Sequence, residues 1–134
     1  MANRKNHIYV YFIPAILWAG LIFIGSSLPS TSLPSFAKDI QDLVLHFIEY
    51  SIFGVFLALA SVPSSNRRTW RGYLIVAAIG IVYGASDEIH QKFVSGRYCE
   101  FADFVVDSGG IVFGLTLFVM GLRVSEFIKN KKNG

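Results

Sequence analysis

Most of the groups able to do acid–base or metal chemistry fall into three short stretches of this 134-residue sequence. In the first, Asp39, Asp42, His46 and Glu49 follow one another in steps of three, four and three. On a helix of 3.6 residues per turn that spacing makes a single stripe. In the second, Tyr83, Asp87, His90 and Gln91 share one helical face, with Glu88 to its side. In the third, Asp103 and Asp107 lie four apart, and Gly110 and Gly114 continue their stripe. A histidine among carboxylates suits general acid–base work, so His46, Glu49, Asp87, Glu88 and His90 are the catalytic candidates. Gln91, Arg97, Asp103 and Asp107 would line the same place and hold a ligand; an arginine there can grip a phosphate or carboxylate with two parallel bonds. The alternative occupant is a divalent metal held by His46, Glu49, Asp87 and His90, an i, i+3 pair from each of two helices as in bundle-core metal sites. No HExxH metalloprotease motif is present.

The elements that must carry these stripes are membrane helices. Hydrophobic residues make up 53% of the chain, aromatics 15% and charged residues only 16%, with a mean hydropathy of +0.50. Soluble domains are about 25% charged, and a soluble globule this small could not bury so much apolar surface. The length supports one domain. A bilayer core needs about 20 mostly apolar helical residues. The hydropathy predicts four spans, at residues 8–25, 43–62, 70–89 and 104–122. The expected fold is therefore all-α, a polytopic bundle of four transmembrane helices forming one domain over residues 1–134. The first segment is too long an uncharged run for a signal-peptide core, and no A-x-A pattern follows it. The single cysteine, Cys99, leaves no intrachain disulfide and no cysteine-based zinc site.

Basic residues collect on the cytoplasmic side of short loops. With the N-terminus inside, Arg4, Lys5, Arg67, Arg68, Arg71, Arg123, Lys129, Lys131 and Lys132 are cytoplasmic, nine of the twelve basic residues. Of the nine acidic residues only Glu126 joins them. Both termini are thus expected in the cytoplasm, and the three polar stripes meet at the opposite face. The basic residues sit in short clusters between apolar runs, so membrane orientation explains them and nucleic acid does not. The strictly apolar part of the third span, residues 73–85, covers only about 20 Å. Asp87 and Glu88 are then expected within, or at the edge of, the outer leaflet. Charged groups at such depth usually face the bundle interior or a wet cavity.

Several residues have plainer readings. Gly80/Gly84 and Gly110/Gly114 are spaced for close helix packing. Asp39 and Asp103 are as readily solvated helix caps as functional groups. Ser26 and Ser27 read as the end of the first helix, and Lys38 and Glu100 as loop charges. Phe93, Tyr98, Phe101 and Trp70 read as interfacial aromatics.

Two stretches, Asp42-Leu-Val-Leu-His46-Phe47-Ile-Glu49-Tyr50 and Asp87-Glu88-Ile-His90-Gln91-Lys-Phe93-Val-Ser-Gly96-Arg97, resemble the signatures of the VanZ-like family. So do Asp103, the Asp107-Ser-Gly-Gly110 turn and Ser26-Ser27-Leu28-Pro29. The resemblance spans nearly the whole chain in order. Two positions depart from it: Leu43 stands where similar sequences have Lys, and Asp107 where they have Asn. This site is therefore more acidic, and its balance would come from a proton, a metal or the substrate. The resemblance implies a multi-pass bacterial plasma-membrane protein and adds Tyr50 to the candidate binding residues. It also implies a link to glycopeptide (teicoplanin) resistance. The expected function is to bind or act on a lipid-linked or peptidoglycan-related envelope substrate from the outer side. A proton-linked transporter or flippase element, or a non-catalytic accessory protein, are the alternatives.

Overall fold

Four helices in sequence make up the described chain, and their boundaries follow from local sequence. A 3-10 turn at Tyr9–Phe12 leads into α1 (Ile13–Ser26); α2 is Ser35–Ser61, α3 Trp70–Gln91 and α4 Phe101–Asn133. The computed structural model describes residues 9–29, 35–61, 70–97 and 99–133; for residue 9 and residues 35–41 it describes the backbone alone. Arg4, Lys5, Arg67, Arg68 and Tyr98 lie outside the described residues, as do the side chains of Lys38 and Asp39.

Pro14 falls in the first turn of α1, where a missing N–H costs nothing because that group has no helical partner. It is a start signal and no interior break. α2 begins at Ser35, so Asp39 is an interior helical residue, which excludes the cap among its two readings. Asp103 is likewise inside α4, in its first turn, where a carboxylate complements the helix dipole. The fourth helix also runs past its expected end near residue 122. Residues 123–133 remain helical and are exposed throughout, with Lys131 and Lys132 in the last turn, where cations are favoured.

Three helical segments are long and apolar enough to cross a membrane, Asp42–Ser61, Trp70–Gln91 and Phe101–Asn133, and Val10–Ser26 is a shorter apolar helix. Burial is inverted relative to a soluble protein. Ile16, Leu17, Ile75 and Val82 are more than 60% exposed, whereas His46, Asp87, Glu88, Gln91 and Asp107 are buried. Lipid accepts apolar side chains freely, while polar groups must find partners inside the protein. The chain is a multi-pass membrane protein.

The main packing contact is between α2 and α4, and glycine makes it possible. A Cβ on Gly110 would lie 2.8 Å from the Phe47 carbonyl oxygen, and one on Gly114 would overlap the Ser51 carbonyl. Gly80 and Gly84 admit Ile111 and the Asp107 side chain. Both glycine pairs thus serve packing, as their spacing predicts. Tyr50, Phe53 and Ile111 fill the centre, with Ala15 and Ile22 of α1 against them. Two polar contacts fasten the middle of α1: Trp18 Nε1 donates to the Glu49 carbonyl at 2.9 Å, and the Tyr83 hydroxyl to the Ala19 carbonyl at 2.6 Å.

Candidate functional site

The polar stripes of α2, α3 and α4 do converge at one end of the bundle, and the end of α1 joins them. Asp87 and Glu88 are neighbours on α3, so their side chains leave the helix about 100° apart. Each builds a different network.

Asp87, 4% exposed, faces α1 and α2. The Ser26 hydroxyl donates to its Oδ1 at 2.6 Å, while Tyr50 Oη and Gln91 Nε2 donate to its Oδ2 at 3.3 and 3.2 Å. Tyr50 is fully buried and held between Phe53 and Tyr83. Three donors thus satisfy one buried carboxylate. Glu88 faces α2 and α4 instead. Its Oε2 accepts the Glu100 N–H at 3.3 Å, which ties the α3–α4 loop down. Beside it, His46 Nδ1 donates to Asp107 Oδ1 at 2.9 Å, an ion pair in which Asp107 is wholly buried. Glu88 Oε1 and Asp107 Oδ2 are buried without a hydrogen-bond partner.

A polar pocket of about 80 Å³ opens between these elements. His46, Glu49 and Asp42 line it from α2, Asp87 and Gln91 from α3, and Gly25 and Ser26 from α1. Arg97 closes one side. Its Nε donates to the Leu28 carbonyl and its Nη2 to the Gly25 carbonyl, at 3.1 and 3.3 Å, so the guanidinium caps the C-terminal end of α1. Of the residues expected to surround a common cavity, His46, Glu49, Asp87, Gln91 and Arg97 do so.

Glu88 does not, because it is turned toward Asp107. Asp107 itself is packed behind His46, and Asp103 is half-buried in the first turn of α4. His90 is also elsewhere. Ser27 donates to the Phe23 carbonyl at 2.6 Å, so its oxygen receives His90 Nε2 at 3.0 Å, and the imidazole stacks on Phe23 at 4.6 Å. The metal set expected from spacing, His46, Glu49, Asp87 and His90, is therefore not the one the fold gathers. Among the described residues, His46, Glu88 and Asp107 bring one potential ligand atom each to within 4.8 Å of the others. Spacing along one helix cannot show that Glu88 and Asp107, on different helices, meet.

Ser26 and Ser27 were read as a helix end and are that, with Ser27 at the C-cap. They also hydrogen-bond Asp87 and His90, which the single-helix pattern could not show. Their one sequence signal was the resemblance in the Ser26-Ser27-Leu28-Pro29 segment. Trp70, Phe93 and Phe101 are strongly exposed, in keeping with interfacial positions.

No curated protein and no solved structure matches the chain. The sequence model of the VanZ/LLP1 family matches residues 11–123, which include every helix that builds the pocket and all its lining residues. The chain belongs to the VanZ/LLP1 family.

Proposed function

We propose that this protein is a four-span bacterial plasma-membrane protein that binds or transforms a cell-envelope substrate, lipid-linked or peptidoglycan-related, and contributes to glycopeptide resistance. In this reading α1 is the fourth span, one VanZ-like domain occupies residues 1–134, both termini are cytoplasmic and the pocket opens toward the outer surface. The orientation rests on the accumulation of basic residues at the other end of the spans.

The observation that carries the proposal is the lining of the polar pocket. His46, Glu49 and Asp87, which can exchange protons, share it with Arg97, which can hold an anionic group. Toward the other end of the same helices, α1, α2 and α3 border an apolar hollow of about 490 Å³, lined by Ala15, Ala19, Phe53, Leu57 and Ile79 among others. A polar pocket above an apolar hollow suits a ligand with a polar head and a lipid tail. The apolar hollow lends no support to a proton path through the bundle.

The test is teicoplanin susceptibility of an isogenic Gram-positive host carrying the chain or its variants, with membrane abundance measured in parallel. Glu49→Gln, which removes a positioned acid–base group worth about 10²–10⁴-fold, and Arg97→Gln, which removes the anion-holding guanidinium, should each remove the gain in tolerance at unchanged abundance. Full tolerance in both variants, or loss only in step with abundance, would refute the pocket as the working site. An unchanged susceptibility with the wild-type chain would refute the link to resistance.

A further inference from the structure

We propose that His46, Glu88 and Asp107 form a binding site for one divalent transition-metal cation, with Zn2+ as the best-matched ion. The site sits where α2, α3 and α4 meet, and each helix contributes one ligand. It does not depend on which membrane face the cluster occupies, nor on what the pocket beside it binds.

Three observations converge. The potential ligand atoms lie within 4.8 Å of one another. Glu88 and Asp107 are 3% and 0% exposed, yet Glu88 Oε1 and Asp107 Oδ2 have no partner. Among the described residues, the ion pair present in this cluster is His46 with Asp107, and it leaves the Glu88 carboxylate uncompensated.

Charge decides what belongs there. A metal-bound imidazole is neutral, so His46 gives up the proton it shares with Asp107 when it binds a cation. The ligand set of two carboxylates and one imidazole then carries a charge of about −2, and a buried charge without a counter-charge is strongly disfavoured. One divalent cation brings the site to neutrality and occupies the orphaned oxygens. An imidazole with carboxylates suits zinc better than magnesium or calcium, which take oxygen alone. Three protein ligands leave a fourth position for water or a ligand group, and His46 places the site against the polar pocket.

The full chain, purified in detergent and stripped with a chelator, would be titrated with Zn2+ by calorimetry and its retained metal measured by mass spectrometry. One Zn2+ per chain is expected. Glu88→Gln and Asp107→Asn should each weaken binding by at least about 10-fold, while Glu49→Gln and Asp42→Asn, in the neighbouring acidic pocket, should leave it unchanged. Glu88→His should retain binding, since imidazole can replace the carboxylate as ligand. Absence of stoichiometric binding by the wild-type chain would overturn the proposal. So would equal weakening by Glu49→Gln, which would make the whole pocket a diffuse cation trap. The metal readout is independent of any resistance phenotype, so the pocket reading and the metal site can fail separately.

Discussion

Gly110→Ala is the sharpest perturbation of this fold, because it tests how packing holds the site together. The added Cβ would stand 2.8 Å from the Phe47 carbonyl oxygen and 3.1 Å from both Ser51 N and Tyr50 Cβ. Two of these three atoms are helix backbone, so no side-chain rotation relieves the overlap. α2 and α4 must part by about half an ångström or more to reach ordinary contact, an overpacking that typically costs about 1–3 kcal/mol. Phe47 follows His46, and Gly110 lies three residues after Asp107. The same separation therefore stretches the 2.9 Å His46–Asp107 bond. Losing a hydrogen bond to a charged group costs a further ~1.5–3 kcal/mol. Gly109→Ala is the matched control, because a Cβ there meets nothing within 4 Å. It should be neutral, or stabilising by up to about 1 kcal/mol, through helix propensity. Thermal unfolding of the detergent-purified variants, followed by circular dichroism, should place Gly110→Ala well below wild type and Gly109→Ala at or above it. Equal melting of the two variants would refute the close α2–α4 approach and the register that pairs His46 with Asp107.

Ser26→Ala removes the 2.6 Å bond to buried Asp87, which should cost about 1–3 kcal/mol in the same unfolding assay; an unchanged midpoint would mean that α1 does not anchor the site. The proposed topology is checked by thiol labelling of intact cells. The native Cys99 should react with a membrane-impermeant reagent, and a cysteine at Glu126, in a Cys99→Ser background, should react only after permeabilisation. The reverse pattern would place the pocket at the cytoplasmic face.

Much of the site was legible in the chain before folding. The stripe of Asp42, His46 and Glu49 and the face of Asp87 and Gln91 reappear as the lining of one pocket, because residues three and four apart on a helix share a face whatever the helix packs against. Hydropathy located the helices to within a few residues at most ends. It failed at the end of α4, where residues 123–133 lose their apolar character but not their helix. Hydropathy reports the solvent a segment prefers; helix formation depends on backbone bonds that polar residues such as Lys and Glu also support. The reading of Asp39 as a cap failed for a related reason, since α2 begins well before its apolar part.

What only the tertiary structure decided is which neighbour each polar group faces. The sequence determines that Asp87 and Glu88 point about 100° apart, but not that Asp87 meets Ser26 and Tyr50 while Glu88 meets Asp107 and His46. That choice belongs to the azimuth of α3 and the close seating of α4 on α2, which Gly110 and Gly114 permit against the Phe47 and Ser51 carbonyls. Periodicity along one helix is a local property, carried by the bonds of that helix alone. Which stripes meet depends on steric fit between helices distant in sequence, and no single segment contains that fit.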